Sequence, residues 1–296
     1  MMPIAMTLGA VFHPILGKLA IFTPYLIFIM LFLTYSKLKF KDIKFTPMHY
    51  WLVTIQFLGA LTIYGLLSPF YPLVAQGVMI CILAPTATAA PVITGMLKGN
   101  VANVTAYSLI SNLMVALSAP IIFSFIGINQ NLPFIQSFST ILQPMFMLLL
   151  LPLLLTFLLR RYFPELIEKA SSYSGFSFYL WSVALMIVTA KTVGFIENQS
   201  NGHYTTEIII GVLALAVCIS QFLIGRKIGK QYEETVAGGQ SLGQKNTILA
   251  IWMAQTYLNP IASIGPGMYV LWQNLINSFQ LSLENKGKTK RGDKTH

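Results

Sequence analysis

From position 237 the sequence reads Ala237-Gly-Gly-Gln-Ser-Leu-Gly-Gln-Lys-Asn-Thr-Ile-Leu-Ala250, and Lys245 is the only charged residue in it. The next charged residues along the chain are Glu234 on one side and Glu284 on the other. A charge near the middle of a membrane-spanning segment is costly, so it is retained only where a cavity, a ligand or a structural partner receives it. If this run crosses a bilayer, Lys245 is the clearest pointer to a functional site.

The composition of the chain predicts an integral membrane protein of the all-α class. Of its 296 residues, 55% are hydrophobic and 9% are charged, whereas about 25% of the residues in an ordinary soluble domain are charged. The apolar residues gather into runs near the length that spans a bilayer as a helix, which is about 20 residues. We predict ten transmembrane helices, at residues 3–17, 20–36, 47–67, 72–97, 101–127, 136–159, 173–191, 207–225, 229–257 and 260–283.

The basic residues support the count of ten, because Lys and Arg collect in cytoplasmic loops. We predict a multi-pass protein of the bacterial inner (plasma) membrane with both termini in the cytoplasm and a solvated, disordered basic tail at residues 284–296. The net charge of +10 then reflects topology and attraction to anionic lipid, and we expect no nucleic-acid partner. This topology puts 16 of the 19 basic residues on the cytoplasmic side: Lys37, Lys39, Lys41, Lys44, Lys98, Arg160, Arg161, Lys169, Arg226, Lys227, Lys230, Lys286, Lys288, Lys290, Arg291 and Lys294.

The other titratable residues suggest no catalytic or metal-binding set. All nine acidic residues lie at run ends or in loops, so no run carries an evident carboxylate for proton transfer or for neutralising sodium. Cys81 and Cys218 lie in runs without a CxxC pair or a His cluster nearby, which indicates buried thiols. His13 is expected at a membrane interface. We therefore expect neither an enzyme nor a bound cofactor or metal.

Two of the runs are interrupted by polar and helix-breaking residues. The fourth has Pro85 and Pro91 on either side of two threonines, and the ninth has Gly238, Gly239 and Gly243 among amide side chains. Each interrupted run is followed by one that contains an Asn-Leu pair, and an odd number of runs per half makes the second half an inverted copy of the first. Paired broken helices in inverted halves are typical of secondary transporters with a midplane site. Ordinary proline kinks and glycine packing contacts are the alternative explanation.

The interrupted segments resemble those of a known family. They look like the fourth, ninth and tenth helices of the bile acid:sodium symporter family, and the resemblance runs in order over nearly the whole chain. It rests on three segments: Ala84-Pro-Thr-Ala-Thr-Ala-Ala-Pro-Val92, Gly239-Gln-Ser-Leu-Gly-Gln-Lys-Asn246 and Trp272-Gln-Asn-Leu-Ile-Asn-Ser278.

The resemblance implies a panel domain from helices 1, 2, 6 and 7 (residues 1–45 and 132–200) and a core domain from helices 3–5 and 8–10 (residues 46–131 and 201–283). In the core, the broken helices 4 and 9 cross. An organic anion, such as a bile acid or another small carboxylate or sulfonate, binds in the crevice that faces the crossing, where half-helix N-termini carry positive partial charge. Rocking of the core against the panel gives alternating access. Aromatic residues of the panel helices are candidate crevice walls, with interfacial belts and lipid-facing packing as the alternative explanation: Tyr25, Phe28, Phe32, Tyr179 and Trp181.

The sequence departs from the sodium site that the resemblance implies. Sodium-coupled members have a Ser-Asn pair where helix 4 resumes, hydroxyls on helix 5 and a Glu at the break in helix 9. Here those positions hold Ala90 and Pro91, Val104, and Gln240. Because sodium prefers oxygen ligands and negative charge, we predict weakened or absent sodium coupling, with a sodium-coupled symporter of degenerate site as the alternative. The family's polar positions that are retained are Gln56, Ser108 and Gln244.

Lys245 stands just after the second break, where family members place an Asn beside the substrate. Three roles are open to it: a fixed counter-ion that replaces sodium and bonds backbone carbonyls at the crossing, a ligand of the substrate anion, or a titrating group in a proton-coupled carrier. A lysine that snorkels to the interface is a fourth explanation. A non-transporting membrane sensor is the alternative to a transporter. The resemblance makes Thr86, Thr88, Gln244, Asn246, Gln273 and Asn274 the other candidate crevice residues.

Overall fold

The computed structural model of the chain describes residues 2–38, 43–128, 132–198 and 204–292. Within these ranges the regular structure is helical, and the β-type pairing is limited to one isolated antiparallel bridge. The all-α prediction is confirmed. The α-helices are α1 (Met2–Val11), α2 (His13–Leu16), α3 (Thr23–Ser36), α4 (Pro47–Leu67), α5 (Pro72–Leu83), α6 (Ala90–Met96), α7 (Val101–Ile126), α8 (Phe134–Leu149), α9 (Leu151–Tyr162), α10 (Pro164–Ser172), α11 (Ser177–Glu197), α12 (Thr205–Gln231), α13 (Thr235–Gly243), α14 (Thr247–Tyr257) and α15 (Ile264–Gly292).

Several helical segments are long and apolar enough to cross a membrane. Many large apolar side chains on these segments point outward, including Ile21 (71% exposed) and Phe125 (64% exposed), which suits a lipid environment. In the part of the chain that the structure describes there are six such segments: His13–Ser36, Pro47–Leu67, Val101–Ile126, Phe134–Tyr162, Tyr179–Glu197 and Thr205–Gln231. The chain is therefore an integral multi-pass membrane protein.

The N-terminal boundaries differ from the prediction. The first two runs were predicted to separate near residues 18–19, but the chain turns at Phe12 and then remains helical, with a 3-10 segment at Gly17–Phe22, as far as Ser36. Pro14 lies in the first turn of α2, where its missing N–H leaves no helical hydrogen bond unmade. It therefore starts a helix here instead of ending one.

The predicted cytoplasmic loop between the eighth and ninth runs is also helical for most of its length. α12 continues to Gln231 and the chain then turns at Glu233, which has a left-handed backbone with φ of 60°. The ninth run consequently begins at Thr235 instead of residue 229. Basic side chains allow a helix to extend beyond the apolar span into the aqueous layer.

The C-terminal tail was predicted to be disordered, and that prediction is wrong for the residues described. α15 continues without interruption to Gly292. The four residues that follow lie outside the described residues. The same holds for some basic positions assigned to the cytoplasmic side: Lys39, Lys41 and Lys294.

Both predicted helix breaks are present. In the fourth run α5 ends at Leu83 and α6 begins at Ala90. In the ninth run α13 ends at Gly243 and α14 begins at Thr247. Pro85 lies within the first break, where a residue without an N–H cannot continue the helix.

The ninth run was predicted to break at its glycines. These glycines instead lie within α13 or at its end, where they allow α12 and α13 to pack closely. A Cβ added to Gly238 would lie 2.3 Å from the carbonyl oxygen of Gly225, and a Cβ added to Gly225 would lie 2.3 Å from the carbonyl oxygen of Gly238. A Cβ added to Gly239 would likewise lie 2.6 Å from Cγ of Arg226. Small residues at helix contacts are common in membranes because they let backbones approach. The break itself lies after Gly243, at residues 244–246.

The two breaks are enclosed by the surrounding helices. α12 packs against α13, α15 and α5, while α11 packs against α1, α3 and α14. One large apolar cluster joins α3, α5, α7, α8, α11 and α14. The polar groups exposed by the breaks therefore have to find partners inside the protein, since no lipid-facing group can supply them.

Candidate functional site

The two breaks cross and bond to each other through their backbones. The N–H of Ala87 donates to the carbonyl oxygen of Gln244 at 2.9 Å, and the N–H of Asn246 donates to the carbonyl oxygen of Pro85 at 2.8 Å. Between these bonds, Thr86 and Lys245 form the isolated antiparallel bridge. A buried backbone group without a partner is destabilising, so the crossing satisfies groups that each break exposes.

The side chains of the two bridge residues bond reciprocally. The Thr86 hydroxyl donates to the carbonyl oxygen of Ser241 at 2.8 Å, and the Lys245 ammonium Nζ donates to the carbonyl oxygen of Ile82 at 2.9 Å. Ser241 lies four residues before Lys245, and Ile82 lies four residues before Thr86, so each acceptor is near the C-terminal end of its half-helix. Carbonyls at a helix C-terminus lack intrahelical partners and carry partial negative charge. The position of Lys245 is therefore one that favours a cation.

Lys245 is buried, with 1% of its surface exposed. A snorkelling lysine keeps its ammonium in water, so that explanation is wrong. Within the described residues no carboxylate lies within ion-pair distance of its Nζ. Backbone carbonyl dipoles thus hold the ammonium, and no carboxylate of the described residues neutralises its charge.

Gln56 completes the C-terminal cap of α5. Its Nε2 donates to the carbonyl oxygens of Leu83 (2.8 Å) and Ala84 (2.9 Å). Its Oε1 accepts from the hydroxyls of Tyr107 (2.7 Å) and Ser111 (3.0 Å). Together with the bond from Lys245, three successive carbonyls at the end of α5 have side-chain partners.

Two of the positions at which the sequence departs from the family's sodium ligands also have apolar surroundings. Ala90 and Val104 are fully buried and form a cluster with Ala237. Pro91 lines a cavity instead. Ser108, which is one of the retained positions, lines the same cavity, and its hydroxyl accepts a long hydrogen bond from the Asn112 amide (3.4 Å). No group of three or more His, Cys, Asp or Glu residues that could hold a metal occurs among the residues described.

The amides near the second break bond to one another through a residue that the sequence analysis did not select. Asn277 accepts from Nε2 of Gln240 (2.9 Å) and donates to Oε1 of Gln244 (2.6 Å). Gln273 pairs with the backbone of Lys245, accepting from its N–H at 2.9 Å and donating to its carbonyl at 3.3 Å. These side chains hold the second break in place.

Other residues missed by the sequence analysis cap the end of α13. The Tyr269 hydroxyl donates to the carbonyl oxygen of Gly243 at 2.8 Å, and Nε2 of Gln221 donates to the Tyr269 hydroxyl at 3.3 Å. A signal for this set is present in the sequence, because polar residues recur every three or four positions along one face of α15. Those residues are Tyr269, Gln273, Asn277 and Gln280.

A cavity of about 990 Å³ lies against the crossing. Most of the predicted crevice residues line it, while Thr86 is fully buried in the crossing and is not part of the lining. Of the five aromatic residues proposed for the walls, Trp181 alone appears among the lining residues that the structure describes. The predicted residues in the lining are Thr88, Gln244, Lys245, Asn246, Gln273 and Asn274.

The charges that line this cavity are positive. Lys245 contributes a buried ammonium and Lys37 an exposed one, and none of the described lining residues is Asp or Glu. Apolar side chains such as Met30, Val92 and Leu109 make up much of the remaining wall. The arrangement suits an anion that carries an apolar body.

Comparison with known proteins shows that this chain is similar to membrane transporters. A sequence profile of the Sodium Bile acid symporter family matches residues 23–199, which is more than half of the chain. A protein of Bacillus subtilis (strain 168) named "Uncharacterized sodium-dependent transporter YocS" is 25% identical over 223 residues, covering 74% of this chain and 66% of that protein. The match thus spans just under two thirds of the relative's length. Since the profile covers most of a helical membrane chain whose interrupted segments already resembled this family, the chain belongs to the sodium bile acid symporter family of membrane transporters.

Proposed function

We propose that this protein is a secondary transporter that moves a small organic anion through the cavity at the crossing, without sodium, and with Lys245 as a built-in cation. The observation that carries the proposal is the bond from the Lys245 ammonium to the carbonyl of Ile82. It puts a covalently attached positive charge at a carbonyl-rich helix end. A hard cation such as sodium is bound by this kind of oxygen ligand.

The loss of alternative ligands supports the same conclusion. Ala90 and Val104 pack with Ala237 in a buried apolar cluster, where a sodium ion would find no oxygen from those side chains. Gln56, although retained, already uses both ends of its amide within the protein. The amide oxygen of Gln240 is buried and unpaired, but it carries no net charge, so a free sodium ion would find no anionic ligand at that position.

The lining of the cavity supports an organic anion as the substrate. It carries two lysines and no described carboxylate, together with amides and hydroxyls near the crossing. We propose that Thr88, Asn246 and Asn274 contact the anionic group. The ammonium of Lys245 attracts this group from the far side of those residues. Charge held in a site of low dielectric acts over a longer distance than in water.

The transport cycle we propose is alternating access between two bodies. The panel comprises residues 1–45 and 132–200, the core comprises residues 46–131 and 201–283, and together they provide ten spans in two inverted repeats in the inner membrane, with both termini in the cytoplasm. The reciprocal bonds of Thr86 and Lys245 support the repeats, because each residue caps the opposite half-helix at the same spacing. Tyr107 and Tyr269 also occupy corresponding positions. Tyr107 lies four residues before Ser111, which accepts from the N–H of Thr86, and Tyr269 lies four residues before Gln273, which accepts from the N–H of Lys245.

Uptake into proteoliposomes tests the proposed coupling. A thermal-shift screen of bile acids and of small carboxylates and sulfonates first selects a substrate, and its uptake is then measured with external sodium replaced by potassium or by choline. We expect equal uptake in all three media, because the cation is part of the protein. A collapse of uptake on replacing sodium would refute the proposal.

A sodium-coupled symporter with a degenerate site is the second candidate. The word "sodium-dependent" in the name of the Bacillus subtilis relative favours it. Sodium-dependent uptake in the experiment above would support it directly. Substrate binding without any flux would instead support a membrane sensor.

A further inference from the structure

A set of hydrogen bonds joins the proposed panel to the proposed core toward one end of α11. From α14, Nε2 of Gln255 donates to the carbonyl oxygen of Val188 at 3.2 Å and to the hydroxyl of Thr192 at 2.9 Å. The hydroxyl oxygen of Thr192 also lies 3.2 Å from that of Ser263, the last residue of the 3-10 segment Pro260–Ser263. Ser263 is fully buried and Gln255 is 8% exposed. These bonds tie α11 to two segments of the core.

Apolar contacts continue this interface along α11. Both α14 and the 3-10 segment pack against α11. Phe195 and Ile196, in the last turn of α11, pack against a buried apolar cluster from α5, α12, α15 and the 3-10 segment. The interface between panel and core is consequently closed at this end. The cluster comprises Val74, Val78, Ile210, Ile261 and Ile264.

The cavity lies toward the other end of α11. Trp181, which precedes Thr192 by 11 residues, lines the cavity, and this spacing corresponds to about 16 Å along the helix axis. The same lining includes Val92 of α6, and α6 packs against the core helices α7 and α13. The cavity thus separates panel from core toward one end of α11, while the hydrogen bonds hold them together toward the other.

We propose that Thr192, Gln255 and Ser263 form a latch between panel and core, which is closed while the cavity is open and separates when access changes side. This inference rests on the proposed alternating access and adds to it the residues whose contacts have to break. The three side chains are neutral, so water can replace each of their hydrogen bonds at a small net cost. A latch of this strength holds one state without trapping the protein in it.

Thiol labelling of the full chain in detergent tests whether the latch opens. The reporter is Ser263→Cys, at a position that is fully buried while the latch is closed, and the reagent is a sulfonated maleimide, whose charge confines it to water. In this background, Gln255→Leu removes two hydrogen bonds between α14 and α11. It should raise the labelling rate about tenfold, which is the effect of two interhelical hydrogen bonds in a membrane protein on the population of the unlatched state.

Thr256→Val is the matched control, because Thr256 lies on the same helix and its hydroxyl donates to the carbonyl oxygen of Trp252 within that helix (2.7 Å). It should leave the labelling rate unchanged. The wild type, labelled in parallel, gives the background from Cys81 and Cys218, which are both buried. An unchanged rate in Gln255→Leu, or an equal rise in Thr256→Val, overturns the latch.

A cross-link tests the latch without weakening it. The hydroxyl oxygens of Thr192 and Ser263 are 3.2 Å apart, so Thr192→Cys and Ser263→Cys together bring two thiols within reach of a disulfide. In proteoliposomes, oxidation of this double variant should stop uptake of the acid selected by the thermal-shift screen, a reductant should restore it, and the oxidised wild type should keep its uptake. Uptake that continues in the cross-linked protein overturns the latch. If the wild type takes up no acid, the proposed function fails, and the labelling rates decide the latch.

Discussion

Replacing Lys245 by methionine separates the charge of this residue from its bulk. Methionine is unbranched and apolar and fills a similar volume, so the surrounding packing is preserved. The change removes the ammonium that donates to the carbonyl oxygen of Ile82. We expect Lys245→Met to bind the substrate anion much more weakly and to remain folded.

The expected loss of affinity follows from Coulomb's law. For an assumed separation of about 8 Å between the ammonium and the substrate anion, and an effective dielectric of about 20, the attraction is about 2 kcal/mol, which corresponds to about 30-fold in affinity. Stability should change less. The unpaired Ile82 carbonyl costs about 1–3 kcal/mol, but removing a buried charge that has no carboxylate partner recovers a desolvation penalty of comparable size.

The assay is calorimetric titration of the selected organic acid into wild type and variant in detergent, with thermal unfolding measured in parallel. Lys227→Met is the matched control, since Lys227 is exposed on α12 and its charge is screened. Binding by Lys245→Met that equals wild-type binding would refute the role as a fixed cation. If binding is intact and transport has lost its pH dependence, Lys245 is instead the proton carrier.

Two further predictions concern how the crossing and its supporting helices are held together. Gln56→Leu should lower the free energy of unfolding by about 3–5 kcal/mol, because two carbonyls at the end of α5 and two hydroxyls lose their partners. Gln136→Leu, at an exposed position, is the control. Equal unfolding temperatures for the two variants would contradict the prediction. Gly225→Ala should separate α12 from α13 and reduce both yield and unfolding temperature, because its Cβ would lie 2.3 Å from a carbonyl oxygen. In Gly267→Ala the new Cβ meets nothing within 4 Å, so this variant should behave as the wild type, and a Gly225→Ala protein of normal stability would show that the close contact is unimportant.

The helical fold and the two breaks were predictable because they follow from local properties of the chain. Apolar runs of spanning length have no alternative to a helix in lipid, and Pro85 cannot continue one. The second break was harder to locate. Glycine serves both broken helices and close helix contacts, and only the structure shows Gly238 packed against Gly225.

The site was predictable in outline and not in its contacts. The isolated charge of Lys245 indicated a functional site, since a buried ammonium needs a partner wherever it lies, whereas the crossing of the two breaks was expected only from the family resemblance. The partner of Lys245, the carbonyl of Ile82, is 163 residues away along the chain and leaves no mark on the sequence. Asn277 was missed because it faces the second break from α15, and the sequence does not show which helix face meets which neighbour.

The bond between Lys245 and the backbone of α5 has a consequence for the energetics of the empty carrier. A charge fixed to the protein and carried through the membrane field feels the membrane potential, at about 2.3 kcal/mol per 100 mV for a full crossing. In the transport cycle proposed above, a monoanion bound beside Lys245 would cancel its charge, and the loaded state would change its access without electrical work. The membrane potential would then act on the return of the empty carrier and set the side on which the empty site faces the solution.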